Sequence, residues 1–247
     1  MAEYGPESYG EAFADVYDDW YANVTDVATC TTALAGLAGG GRVLELGVGT
    51  GRLAVPLAEH CSRGGHCAEV VGVDASPAML ARLADRDPGH TVTAHLVDMA
   101  TDLPAGPFSL VFVAYNTLFN LVSEAAQASC LALVADRLEP GGRFVVEAFV
   151  PVLDGPDRGV EGRPLDDGVV LNVTIRDPTL QVVRGQQVEL RNGGVRLRPW
   201  QIRYLTPSQL DELASAVGLV RVARWSDWTG SAFGDDSTRH ISVYARR

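Results

Sequence analysis

The chain has 247 residues, 47% of them hydrophobic, and 31 acidic against 20 basic side chains, for a formal net charge of -11. That length buries a core without disulfide or metal support, and one α/β domain accounts for all of it. The acidic balance repels phosphate backbones and anionic lipid alike, which argues against a nucleic-acid substrate or a membrane partner.

The first twenty residues carry acids and aromatics where a secretory signal would carry basic residues and an apolar run, and no apolar stretch reaches membrane-spanning length. Cys30, Cys61, Cys67 and Cys130 are too few and too scattered for a disulfide framework. A cytoplasmic protein is expected. Ser8 with Glu11 forms a capping-box pattern, and Tyr9, Phe13, Tyr17, Trp20 and Tyr21 follow at helical spacing, which predicts one amphipathic aromatic helix. Apolar runs at 43–46, 70–73, 92–97, 110–114 and 144–149 then alternate with helical patterns, as βαβ units of a parallel sheet do. Residues 151–168 read as a mobile loop rich in Gly, Pro and Asp. Runs at 169–175, 180–190 and 195–205, separated by Asp-Pro and Asn-Gly-Gly, predict an antiparallel insertion. A helix over 207–217, with Thr206 as N-cap and Gly218 as C-cap, and strands at 220–225 and 240–245 complete the chain.

The segment Glu45-Leu46-Gly47-Val48-Gly49-Thr50-Gly51 follows a strand and opens a helix. Its backbone can approach a ligand closely, and the helix N-terminus suits a carboxylate or phosphate. A dinucleotide fingerprint would place its third glycine at position 52, where Arg52 stands, so a nicotinamide dehydrogenase is disfavoured. Asp74 ends the next strand, where it can accept from both hydroxyls of a ribose, and Asp98-Met99 sits at the same carboxyl edge, where an adenine amino group could donate to Asp98. Singly, each also reads as a loop glycine, a capping aspartate or a core methionine; the ordered set argues for a nucleoside ligand.

With Leu138-Glu139-Pro140-Gly141-Gly142, these motifs resemble, in order and spacing, the class I (Rossmann-like) S-adenosylmethionine-dependent methyltransferases of small-molecule type, over roughly residues 40–150 and the last two strands. The resemblance implies a mostly parallel, seven-stranded, doubly wound α/β sheet with its last strand antiparallel and an antiparallel β insertion after the fifth. It divides the single domain into a helical lid (1–40), a cofactor-binding core (41–150), a substrate wall (151–205) and a closing helix with two strands (206–247). It implies S-adenosyl-L-methionine as cofactor and S-adenosyl-L-homocysteine as product. Gly47, Gly49 and Gly51 would make room for the methionine portion, Asp74 would bind the ribose, Met79 would pack near adenine and Asp98 would meet its amino group. Glu45, Ala75 and Met99 complete that set, and backbone at Ala114 and Tyr115 would hold the methionine end. Tyr9 and Tyr17 would close over the cofactor from the lid, with Tyr21 beside the reacting atoms; the alternative is a hydrophobic anchoring stripe shared with Phe13 and Trp20.

Methyl transfer to nitrogen is an in-line displacement in which the protein positions, desolvates and manages one proton. His240, at the start of the antiparallel last strand and so at the cofactor edge, is the first candidate base, and Glu147 is the second, with a salt bridge to a neighbour as its other reading. Asn116 could orient an acceptor, or cap its loop, and Phe119 could cover it. The insertion resembles that of sugar N-methyltransferases, and its Arg196, Arg198, Trp200, Arg203 and Tyr204 would suit a diphosphate and a base, or form a solvated strand face. His60-Cys61 and His66-Cys67 match no zinc spacing, and Asp235 and Asp236 near His240 lack the rest of a carboxylate cluster, so no metal is expected. The leading expectation is N-methylation of a nucleotide-linked amino sugar or similar specialised metabolite by a homodimeric enzyme. The alternatives are an O-methyltransferase and a non-catalytic cofactor-binding protein.

Overall fold

The computed structural model describes residues 4–64 and 67–247. Two short helices, α1 (Ser8–Phe13) and α2 (Tyr17–Tyr21), stand where one helix was expected. The break falls at Asp15 and Val16, and the Asp15 carboxylate is drawn 2.6 Å from Arg198 across the molecule. The capping box does not form: Glu7 takes the N-cap position of α1 without a side-chain bond, and Glu11 turns to Ser76 instead. Helix α3 (Val27–Ala38) is capped by Asp26 and leads to β1 (Arg42–Leu46).

Right-handed βαβ logic then builds α4 (Ala54–Gly64), β2 (Glu69–Asp74), α5 (Pro77–Arg86), β3 (Val92–Leu96), β4 (Phe108–Val113), α6 (Glu124–Arg137) and β5 (Leu138–Phe149). The chain continues through β6 (Arg158–Leu165), β7 (Gly168–Asp177), β8 (Val182–Arg191) and β9 (Gly194–Arg203) to α7 (Pro207–Ala216), β10 (Leu219–Trp225) and β11 (Arg239–Arg246). The capping box of α7, Thr206 with Gln209, is complete. The main sheet has the order β10-β11-β5-β4-β1-β2-β3, and β11 runs antiparallel to β5. Its central strands are apolar on both sides because both faces are covered. Leu44, Val111 and Phe144 pack beneath α6 and α7, while Val43, Phe112 and Val145 pack beneath α3 and α4.

The second sheet, β6-β7-β8-β9, is antiparallel throughout. It includes β6, in the stretch read as a loop. Its alternation is inverted relative to an ordinary covering sheet. Glu161, Asn172, Gln187, Glu189, Arg198 and Trp200 share the face turned toward the lid, whereas Val160, Val173, Ile175, Val195 and Leu197 lie on the opposite, exposed face. Cys61 and Cys67 are joined in a disulfide, which the cysteine spacing did not suggest, while Cys30 and Cys130 are buried thiols. His66 lies outside the described residues. Among the described residues no helix is long and apolar enough to cross a membrane.

Candidate active site

The glycine loop links β1 to α4 with Gly47, Gly49 and Gly51 at φ of 66, 56 and 76°. A side chain at Gly47 would place its Cβ 2.2 Å from Thr117 Cγ2, so this approach admits glycine alone. Asp74 fastens the loop to the end of β2: one carboxylate oxygen accepts from the Gly49 N–H at 2.8 Å, the other from the Ser76 N–H at 2.9 Å. Burial raises its pKa against these backbone donors. Each oxygen keeps a lone pair for a ligand hydroxyl. A cleft of about 630 Å³ opens here, lined by Asp74, Ala75, Met79, Asp98 and Met99, together with Gly47, Gly49, Tyr9 and Tyr17. The nucleoside residues expected from sequence therefore converge, whereas Glu45, Gly51, Ala114 and Tyr115 stay outside the lining.

Two buried groups near the loop are incompletely satisfied. Arg52 Nε and Nη1 and Glu45 Oε2 have no hydrogen-bond partner among the described residues. Burial pushes the Glu45 carboxyl up to about 8, with Arg52 opposing the shift. A buried carboxylate acceptor and a buried guanidinium with free donors fit the ammonium and carboxylate of an amino-acid zwitterion. In the sequence Arg52 shows only as a missing glycine, and its burial beside Glu45 is visible in the fold alone.

Helices α1 and α2 close the cleft. Gly10 lies so near the β2–α5 loop that a Cβ there would sit 2.3 Å from Ser76 Cβ. The Glu11 carboxylate accepts from Ser76 Oγ at 2.8 Å and from the Ala78 N–H at 3.0 Å. Asp18 accepts from Thr50 Oγ1 and pairs with Arg86, both at 2.7 Å. Asp15 binds Arg196 and the buried Arg198, which is also paired with Glu189 at 2.8 Å. Helices α1 and α2 are thus clasped to both sheets.

Beneath it lies a second cavity of about 710 Å³, walled by Tyr9, Tyr17, Tyr21, Tyr115, Phe149 and Trp200, with Asn116, Asn120 and Gln187 among its polar groups. Tyr21 stands 4.8 Å from the Tyr17 ring and 5.7 Å from the Tyr115 ring. Burial raises the Tyr9 and Tyr17 phenols and pushes Tyr115 up to about 12. The cleft and this chamber share Tyr9, Tyr17, Thr117 and Asn120. Past Tyr21 and Gln187 the space continues toward Trp20, Glu161 and Arg163.

Several expected site residues lie elsewhere. His240 is fully buried and lines neither cavity; its Nδ1 is 2.9 Å from Ser242 Oγ, and burial with the nearby Arg224 lowers its pKa to about 4. It points to the α7 side of the sheet with Ser242 and Tyr244, because alternate residues of β11 share a face. Glu147 is buried, accepting from the Tyr115 N–H at 3.0 Å and from Trp228 Nε1 at 3.1 Å, and does not reach the chamber. Tyr115 accordingly offers its ring to the site, its N–H being engaged. Phe119 and Tyr204 are core residues. Arg203 bonds Gln127 at 2.6 Å and Glu124 at 2.8 Å, so it and Arg198 are held by protein partners. Asn116 both lines the chamber and caps its loop, accepting from the Phe149 N–H at 2.7 Å. Tyr21 and Trp200 stand in the chamber wall. Asn120, Phe149, Gln187 and Ile202 were missed; Gln187 and Ile202 share the inner face with Trp200, a signal present in the alternation of β8 and β9. Among the described residues no cluster of three or more His, Cys, Asp or Glu could hold a metal ion.

A family model described as a methyltransferase domain matches residues 43–142. The structure of the CcbJ methyltransferase from Streptomyces caelestis is 36% identical, with 98% of each chain covered and a TM-score of 0.89. An uncharacterized methyltransferase of Geobacillus kaustophilus is 31% identical over 142 residues, 56% of this chain, and the chain spans 57% of that relative's length. The sugar N-methyltransferase KedS8 from Streptoalloteichus has the same fold, at 20% identity, a TM-score of 0.71 and coverage of 100% of this chain and 99% of its own.

Proposed function

The chain belongs to the S-adenosylmethionine-dependent methyltransferases, and on that premise we propose that it transfers a methyl group to the amine of a small metabolite, an amino sugar or a similar polar ring. One observation carries this reading: the nucleoside cleft and the aromatic chamber meet at Tyr9, Tyr17, Thr117 and Asn120. Asp74, Met79 and Asp98 would hold the adenosine, and Arg52 and Glu45 the methionine carboxylate and ammonium. When bound, the donor supplies a methyl group already activated by positive charge on sulfur. Tyr17, Tyr21 and Tyr115 exclude water at the junction and turn ring faces toward that charge. Asn116, Asn120 and Gln187 would orient the acceptor so that its nitrogen lone pair lies in line with the breaking carbon–sulfur bond. Burial keeps the Tyr9, Tyr17 and Tyr115 phenols protonated near neutrality, so none of these three takes a proton; the amine enters unprotonated and its product proton leaves to water.

Arg196, Arg198 and Arg203 are engaged with carboxylates, and Arg163 is the cation where a nucleotide-linked acceptor would have to extend. The exposed apolar face of the second sheet supports a homodimer.

The test is incubation with S-adenosylmethionine and a free amino sugar, its nucleoside-diphosphate form or a phenol, with products read by mass spectrometry. Methylation of amine nitrogen is expected. Methylation of the phenol alone would favour O-transfer, donor binding without turnover would favour a cofactor-binding protein, and no donor binding would end the proposal.

A further inference from the structure

The link between β4 and the chamber adopts a conformation that side chains resist. Tyr115 and Asn116 have φ of 47 and 66°, two consecutive left-handed residues of which one is a bulky aromatic. Such backbone persists only where its surroundings over-determine it, and that happens preferentially at functional sites. Here the surroundings are the end of β5. The Tyr115 N–H donates to Glu147 Oε2 at 3.0 Å, the Asn116 N–H to the Glu147 carbonyl at 3.0 Å, and the Phe149 N–H to Asn116 Oδ1 at 2.7 Å. The other Glu147 oxygen accepts from the Trp228 indole at 3.1 Å, with Arg239 at 4.0 Å. Glu147 and Trp228 are 3% and 6% exposed, and neither lines the cleft or the chamber. What the turn delivers is the Tyr115 ring, set edge-on to Tyr21 and 5.8 Å from the Arg52 guanidinium.

We propose that Glu147, braced by Trp228, is a positioning residue for methyl transfer: its carboxylate bridges two N–H donors and thereby holds the left-handed Tyr115–Asn116 turn and the Tyr115 ring where donor and acceptor meet. The claim rests on the methyltransferase reading above. It explains the residue type. Both neighbours are donors, and a carboxylate has only acceptors to offer, whereas a glutamine must present its NH₂ to one of them.

That asymmetry supplies the test, made on Glu147→Gln, Trp228→Phe and the double variant. Glu147→Gln is expected to lower kcat by about tenfold or more, since small misplacements at a reacting centre carry that penalty, while the calorimetric Kd for S-adenosylhomocysteine stays within about threefold. In the double variant the amide no longer faces the indole N–H, so at least about threefold of the lost kcat returns; Trp228→Phe alone has the smallest effect. Hydrogen exchange at residues 114–118 should rise in Glu147→Gln and fall back in the double variant, a readout that needs no acceptor. If no acceptor is methylated by the wild type, the methyltransferase reading fails by itself, and the exchange pattern still judges the clamp. The proposal is overturned by an unchanged kcat in Glu147→Gln, by a loss that the double variant deepens, or by exchange at 114–118 that ignores all three changes.

Discussion

Glu45 and Arg52 carry buried polar atoms with no hydrogen-bond partner among the described residues, an arrangement costly to the free fold and favourable to a zwitterionic ligand. An unfolded glutamate ionises near ~4.3, whereas burial holds the folded carboxyl near about 8. Between those values the folded state keeps a proton that the unfolded state has lost, so the free protein loses stability as pH rises through the window. Glu45→Gln removes that dependence. Thermal melts should show the variant gaining on the wild type from acid toward about pH 8, while calorimetry shows S-adenosylmethionine bound about tenfold or more weakly. A parallel pH dependence in both proteins would refute the assignment. Residues of this cleft were legible in the sequence where they follow strand ends in chain order, as Asp74 and Asp98 do. His240 was misread because its position along β11 was inferred and its face was not: one residue of register decides whether a strand side chain meets the site or the core.

At the scale of elements, the lid is held by short polar contacts rather than by a large apolar surface. Glu11 alone receives donors from Ser76 and from the N-terminus of α5, beside Asp74 in the cleft. Glu11→Ala should cost the fold about 1 kcal/mol or less, yet raise the dissociation rate of S-adenosylhomocysteine several-fold in stopped-flow experiments. An unchanged rate would mean that the lid does not gate the donor. The division of the lid into α1 and α2 was hidden from helical periodicity, which continues through Asp15; the partner that breaks the helix, Arg198, is 183 residues away. Strand β6 was hidden for a different reason. It is an edge strand that carries Gly159, Gly162 and Pro164, residues an edge tolerates and a loop prefers.

For the whole molecule, the outward face of the second sheet is the main unbalanced surface. Val160, Ile175, Val195 and Leu197 are each more than half exposed, and among the strand residues sharing their face Arg158 and Arg184 stand against one carboxylate, Asp177 at the end of β7, in a chain of net charge -11. Four strands of eight to ten residues present roughly 600 Å² before side-chain relief is added, close to the roughly 800 Å² that each partner gives to a stable interface. A second copy fits such a face, since acidic surfaces elsewhere would repel one another. Light scattering should therefore find a dimer that Leu197→Glu converts to a folded monomer; a monomeric wild type, or a variant that stays dimeric, would exclude this face. The acceptor chamber was the least legible part of the molecule. Its walls come from the lid, the β4–α6 link and the inner face of β8 and β9, and only the fold brings them together.

Tyr9 and Tyr17 are walls of the nucleoside cleft and of the aromatic chamber at once. The second compartment is therefore incomplete until the lid is seated, and the lid seats over the first. On the proposed function, substrates are expected to add in order, donor before acceptor, with the demethylated donor departing last. Steady-state inhibition should then show S-adenosylhomocysteine competing with S-adenosylmethionine but not with the acceptor.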